Sequence, residues 1–289
     1  VSPGRVRLVA LDIDGTLLRS DRTLSARTRQ AVAQARRCGV RVALVTGRRH
    51  PSARRIAAEL GEPLTLVVHN GAMVVEQGEI VHCRPLASEL AARAIRGGRS
   101  LALEPIVHSG LRGEGWLNVD ERAAPAGLVG YYLERAREEL RLVPDLLATL
   151  AEEPPMQVMF GGTLDEMERL HDLLAGMLAG AARLERTVYP ESGFALVDVL
   201  DAAVGKGEGV AFLQRRFGIA REETLAVGDN WNDRSMLEAA GVGLLMGNAP
   251  SELLALGLPR LPTNDEDGVA LALETHVLGS RSGAGFTPS

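Results

Sequence analysis

Lysine is all but absent: of the 32 lysines and arginines in this chain of 289 residues, only Lys206 is a lysine. Asparagine is scarce too, with six occurrences. Such scarcity suits a coding bias, as in a GC-rich genome, so a disfavoured residue that persists marks chemistry that needs it. Lys206 stands in Gly205-Lys206-Gly207, and Asn70, Asn230, Asn232, Asn248 and Asn264 lie in or beside polar clusters. Cysteine is nearly missing as well: Cys38 and Cys83 are too few for a disulfide framework and fit a reducing, cytoplasmic setting. No apolar run reaches the roughly 18 residues a membrane span needs, and no signal-peptide pattern occurs, so no membrane partner is expected. Basic charge is not in excess either, with 37 acidic residues and a net charge of −5. The arginine pairs at 36–37, 48–49 and 54–55 are spaced as exposed helix faces, which speaks against a nucleic-acid partner. The six histidines show no zinc spacing. Nothing in the sequence sets an oligomeric state.

What the chain does have is a repeated pattern. Five short apolar runs each end in a small polar cluster: Val6–Leu11 before Asp12-Ile13-Asp14-Gly15-Thr16, Val40–Val45 before Thr46-Gly47, Leu64–Val68 before His69-Asn70-Gly71, Thr224–Val227 before Gly228-Asp229-Asn230, and Val242–Met246 before Gly247-Asn248. Continuous apolar runs alternating with helical segments read as a parallel sheet covered on both faces. Ligands of such sheets sit outside the carboxyl ends of the strands, so the five polar ends predict one shared site. The expected fold is α/β, with a Rossmann-like parallel-sheet core over residues 1–83 and 192–279. Helices are expected at Ala26–Cys38, Ser52–Leu60, Gly207–Phe217, Arg234–Ala240 and Pro250–Leu256, with a hairpin around Glu76–Glu79.

Between residues 84 and 191 the rhythm changes to strands that follow strands, which predicts an inserted α+β domain. Its expected helices are Ala87–Ile95, Val129–Leu140 and Leu164–Leu178. Its expected strands are Leu101–Val107, Gly115–Val119, Met156–Phe160 and Arg183–Tyr189, with a further strand at Phe194–Leu200 on the core side of the boundary. The small polar tail 280–289 reads as disordered.

The clusters carry chemistry. Asp12 and Asp14 are two apart, so an extended strand turns both to one side. Carboxylates that close repel each other unless a cation lies between them, and a hard oxygen-seeking Mg²⁺ suits the place. Asp229 can complete that site, with Asn232 and Asp233 at or beside the metal, although such a cluster is also an ordinary helix-capping turn before Arg234. Thr46 offers a hydroxyl and Gly47 an uncrowded N–H at the start of a helix, a setting suited to a phosphate oxygen. Lys206 adds a compact cation. Carboxylate, metal and phosphate donors together form a phosphoryl-transfer set.

The motifs Asp12-x-Asp14-Gly-Thr, Thr46-Gly47-Arg48, Lys206 and Gly228-Asp229-x-x-Asn232-Asp233 resemble those of the haloacid dehalogenase superfamily of phosphatases. Asn70-Gly71-Ala72, Met246-Gly247-Asn248-Ala249 and Asn264-Asp265-Glu266-Asp267-Gly268-Val269 match too, and the position of the insert resembles the Cof-type, subclass IIB branch. The resemblance implies Asp12 as nucleophile and Mg²⁺ ligand. It implies Asp14 as general acid and then base, with its backbone carbonyl on the metal, and Asp229 as a further ligand supported by Asn232 and Asp233. Thr46, Gly47 and Lys206 would hold the transferring phosphate, and the insert would close over the substrate as a cap. Arg48 and Asn70 are the expected core-side substrate contacts. Two departures stand out: His69 occupies a place where the family often has an acid, and Trp231 is placed to touch substrate or cap.

The expected activity is Mg²⁺-dependent hydrolysis of small phosphate monoesters, sugar phosphates or related metabolites, through an aspartyl-phosphate. A sugar phosphomutase or a specialised sugar-phosphate phosphatase is the second enzyme reading. A phospho-acceptor signalling module is the non-enzymatic one, and the long insert and Asp-x-Asp at the first strand weigh against it.

Overall fold

A computed structural model describes residues 6–61, 64–123, 130 and 136–279. The chain opens with β1 (Leu8–Leu11), α1 (Ala26–Arg37), β2 (Arg41–Val45), α2 (His50–Glu59), β3 (Thr65–Val68), β4 (Met73–Glu76) and β5 (Glu79–Cys83). An insert follows: α3 (Ser88–Ser100), β6 (Ile106–Ser109), β7 (Trp116–Asp120), β8 (Leu140–Val143), α4 (Leu146–Glu152), β9 (Gln157–Thr163), α5 (Leu164–Leu178), β10 (Ala182–Tyr189) and β11 (Phe194–Asp201). The last part holds α6 (Lys206–Phe217), β12 (Thr224–Gly228), α7 (Arg234–Ala239), β13 (Val242–Leu245), α8 (Ser251–Leu254) and α9 (Gly268–Leu273).

Seven strands join in the order β13-β12-β1-β2-β3-β4-β5. The first five of these pair in parallel, and β4 and β5 add an antiparallel edge. Alternate residues of each strand serve opposite faces. Val9, Leu11, Val42 and Leu44 pack with α1, α2 and α9, while Leu8, Ala10, Ala43 and Val45 pack with Val210 and Leu213 of α6 and Met236 of α7. With both faces covered, an acid has no place within these strands. β1 lies between β2 and β12, where the winding direction reverses, so the ends of the three strands open a crevice there.

The insert forms a second sheet, β10-β11-β9-β6-β7-β8. Its pairings are antiparallel except β7 with β8. Among the described residues, α3, α4 and α5 pack on one face. Ala91, Ala94 and Ile95 of α3 and Met167, Leu170 and Leu174 of α5 bury Val158, Phe160, Val197 and Val199. Gly98 lets α3 approach this closely, since a Cβ there would strike the Phe160 ring. Thr163 and Glu166 close a reciprocal cap that starts α5 where the sequence places it.

Three expectations change. The chain does not return to the seven-stranded sheet at residue 192. β11 pairs along its length with β10 and continues onto β9, so the insert runs to Asp201. There Arg84 donates to the Asp201 carboxylate at 2.7 Å, tying the two crossings together. The strand expected at Leu101–Val107 begins only at Ile106, because Leu101 and Ala102 close the end of α3 by bonding Gly98 and Arg99. Of the helix expected over Val129–Leu140, residues 129 and 131–135 lie outside the described residues, and Leu140 opens a strand, β8. The tail 280–289 also lies outside them. No helix among the described residues is long and apolar enough to cross a membrane.

Candidate active site

The end of β1 sets the centre. Asp12 extends the ladder by one bond, its N–H donating to the Val227 carbonyl at 3.0 Å. The chain then leaves the sheet in a wide turn closed by the Leu18 N–H on the Ile13 carbonyl at 2.9 Å. Gly15 turns there with φ +75°, and any Cβ on it would run into the Asp229 carboxylate. Thr16 Oγ1 donates to Asp229 Oδ1 at 2.8 Å. Segments more than two hundred residues apart are joined in this one turn.

Lys206, the first residue of α6, is buried and reaches the same point. Its Nζ donates to Asp12 Oδ1 and Asp233 Oδ1, both at 2.6 Å. Asp233 Oδ2 accepts the backbone N–H groups of Asp229 and Asn230, both at 2.9 Å, which holds the acidic loop in shape. Asp12, Asp229 and Asp233 present oxygens within 4.8 Å of one another. Burial, with the charge of Asp233, pushes the Asp12 carboxyl up to about 7, and burial with Asp12 alongside pushes Asp229 well above its ordinary value. Burial works against the Lys206 ammonium as well, but Asp12 and Asp233 outweigh it and hold the charge on. Three buried acids with one ammonium leave an uncompensated negative charge, and all their donors are oxygen. That set fits a hard divalent cation such as Mg²⁺.

Asp14 stands apart from this cluster. The strand has ended, so alternation no longer applies, and its half-exposed carboxylate turns to Arg48. Arg48 Nε donates to Oδ2 at 2.6 Å and Nη2 to Oδ1 at 2.5 Å. Thr46 is buried after β2, its hydroxyl accepting the Arg48 N–H at 3.1 Å. A Cβ on Gly47 would come within 3.0 Å of Asn70 Oδ1, so the two loops are in close approach. His69 and Asn70 both take left-handed conformations, φ +51° and +54°. They are held there by backbone bonds to Arg48 and Thr46, each 3.0 Å. Such strain in residues other than glycine clusters at functional sites.

Asn232 Nδ2 donates to Asn70 Oδ1 at 3.1 Å, and Asn70 Nδ2 donates to Asp198 Oδ2 of β11 at 3.0 Å. Asn230 clasps the insert directly, accepting from the Val188 N–H at 2.9 Å and donating to its carbonyl at 2.8 Å. Asn248 and Asn264 instead brace the β1 turn through the carbonyls of Gly15 and Leu18. Trp231 packs partly buried against the apolar layer of Leu8, Ala10 and Met236. The sequence reading missed Asp198, Gln157, Glu185 and His108, which the insert places above the strand ends. One signal was available: an acid inside Phe194-Ala-Leu-Val-Asp-Val-Leu200 is out of character for a buried strand.

Comparison with known proteins agrees with this geometry. The sequence profile of the haloacid dehalogenase-like hydrolases matches residues 9–273. The chain is 30% identical over 259 residues to an HMP-PP phosphatase of Cronobacter sakazakii, covering 89% of each. It is 29% identical over 292 residues to the phosphatase YwpJ of Bacillus subtilis, covering 94% of this chain and all of that one. Among solved structures, the subclass IIB sugar phosphatase BT4131 shares the fold with a TM-score of 0.76 at 21% identity, over 93% of this chain and 98% of that one. The chain belongs to the haloacid dehalogenase-like hydrolase family and is an enzyme of its phosphatase class.

Proposed function

We propose that the protein is a Mg²⁺-dependent cytoplasmic phosphatase that hydrolyses small phosphate monoesters, sugar phosphates or related metabolites, through a phosphorylated Asp12. The convergence of Asp12, Asp229, Asp233 and Lys206 in one buried cluster carries this reading. The small phosphorylated substrate is in keeping with relatives named for HMP-PP and as a sugar phosphatase, and Mg²⁺ with the all-oxygen donors of the acid cluster.

In this reading an Asp12 carboxylate oxygen attacks phosphorus, and the bond from phosphorus to the ester oxygen breaks. Asp14, which must first leave the Arg48 fork and take up a proton, gives that proton to the departing alcohol. It then takes a proton from the water that attacks the acyl phosphate, which returns Asp12 as a carboxylate and frees inorganic phosphate. Thr46, Gly47, Asn232 and Lys206 hold the equatorial oxygens, where charge must be stabilised. Asp12, Asp229 and the Asp14 carbonyl would hold Mg²⁺, with Asp233 supporting them, and the ion would neutralise charge on both phosphate and nucleophile. The insert covers the site and keeps bulk water from the acyl phosphate.

The test is phosphate release from a panel of phosphorylated metabolites, with Mg²⁺ or chelator, by wild type and Asp12→Asn. Mg²⁺-dependent release that Asp12→Asn abolishes supports the reading. Transfer of the phosphate to another hydroxyl of the same sugar, without free phosphate, would make it a mutase. Folded, Mg²⁺-loaded protein that turns over no ester would end the reading.

A further inference from the structure

The face of the insert's sheet opposite α3, α4 and α5 looks onto the strand ends of the core, and it is polar at that point. His108 of β6 is buried there, and its ring meets that of buried His69 edge-on, with centroids 5.6 Å apart. Gln157 of β9 is the register partner of His108. Among the described residues, no hydrogen bond reaches either nitrogen of the two imidazoles, Gln157 Oε1, or Asn232 Oδ1. An unpaired buried polar atom is costly, and native proteins pair nearly all of them. Six such atoms at one junction are therefore best explained by a ligand that supplies their partners.

The chemistry of that ligand can be read from the charges around it. Burial, with Arg49 beside it, brings His69 down to about 3, and burial with His69 alongside takes His108 well below its ordinary value. Both rings are therefore neutral, each offering one N–H and one bare nitrogen. A hydroxyl both donates and accepts, so it can satisfy either. An anionic oxygen only accepts, which would leave the bare nitrogens unpaired. On the same face Glu185 and Asp198 are direct partners across β10 and β11, and both are buried. Glu185 is paired with Arg183 at 2.6 Å, and Asp198 receives Gln157 Nε2 and Asn70 Nδ2, both at 3.0 Å. A second phosphate or a carboxylate placed here would meet these two acid side chains, and Arg49 beside His69 is already held by the Gly115 carbonyl at 2.7 Å.

We propose that His69, His108 and Gln157, with Asn232 Oδ1, recognise the leaving group of the substrate, and that this group is an uncharged, hydroxyl-bearing alcohol rather than one carrying a further anionic group. The proposal rests on the phosphatase reading above and adds to it the residues that choose the ester.

The experiment compares kcat/KM of wild type, His108→Leu and His108→Gln on four esters: a hexose monophosphate, a sugar bisphosphate, a phosphorylated carboxylic acid, and p-nitrophenyl phosphate. Wild type should favour the monophosphate over both anionic esters by about tenfold or more, the scale on which hydrogen-bonded pockets discriminate. In His108→Leu the ratio of hexose monophosphate to p-nitrophenyl phosphate should fall by about tenfold, mainly through KM, because the nitrophenyl group has no hydroxyl to lose. His108→Gln, which again donates and accepts, should recover part of that ratio. An unchanged ratio, or a wild type that prefers an anionic ester, overturns the proposal. Should His108→Leu fail to fold, the wild-type preference and the Gln variant still decide. A folded wild type with no phosphatase activity at all would instead refute the underlying reading, and this inference with it.

Discussion

The five parallel strands of the seven-stranded sheet hold their acids and histidine until they have ended, whereas the six-stranded sheet carries such residues inside its strands. Asp12, Thr46 and His69 each follow directly on a buried strand, and Asp229 follows Gly228 at the end of β12. In the insert, His108, Gln157, Glu185 and Asp198 lie within β6, β9, β10 and β11. The cause is coverage. Helices on both faces of the parallel sheet leave only its ends for chemistry, whereas in the insert α3, α4 and α5 pack on one face and His108, Gln157, Glu185 and Asp198 lie on the other. On the proposed reading, catalytic groups come from loops braced by rigid strands, and His108 and Gln157 of the sheet surface join His69 and Asn232 of those loops in recognition. What the core does to phosphate would then be divided from what the insert helps it accept as an ester.

That division can be tested by breaking each side in turn. The largest effect is expected at the end of β1. Asp12→Asn should lower phosphate release by about 10³-fold or more, as loss of a nucleophile does, on every ester alike. A loss confined to some substrates would mean Asp12 serves recognition. Lys206→Met removes the cation between Asp12 and Asp233, leaving buried charge uncompensated. Denaturant unfolding of the metal-free protein should show a loss of about 3–5 kcal/mol.

The insert should respond differently. Gly98→Ala forces a methyl against Phe160 beneath the recognition face and should cost about 1–3 kcal/mol of stability through overpacking. Its selectivity among esters should shift more than its Mg²⁺ requirement, which titration of activity with Mg²⁺ would show. The smallest effect concerns pH. Burial raises the Asp198 carboxyl from 3.8 to about 7, so the native state keeps a proton that the unfolded chain releases at lower pH. The stability this group provides is full below about pH 4 and is lost as pH rises through about 7. Asp198→Asn cannot titrate, so its stability should fall less steeply than wild type over that interval. Parallel profiles would show that Asp198 is not protonated in the fold.

Much of the core was legible because its strands have little choice of residue. A sequence such as Leu-Val-Ala-Leu followed by acids is what a strand buried on both faces must look like. Likewise the helix expected over Leu164–Leu178 stands there as α5, its start closed by Thr163 and Glu166. The insert was harder to read for the physical reason that makes it useful. β8 shows partly exposed residues throughout, so no apolar pattern marks it. The alternating charges of β10 and the Asp198 within β11 gave no sign of which sheet those strands joined. In the site, pairwise spacing placed Asp14 beside Asp12, but the left-handed turn at Gly15 and the fork of Arg48 draw it to the rim. The junction of His69 with His108 could not be seen at all, since it exists only once the insert has folded over the core.

That Asp12 itself receives the phosphoryl group is tested most directly by quenching the Mg²⁺-loaded enzyme in acid during turnover of a phosphate-labelled ester and mapping the label by peptide mass. The label should sit on the peptide that holds Asp12, as an acyl phosphate that is labile to base and absent from Asp12→Asn. Steady turnover with label on another residue, or on none at any time point, would contradict it.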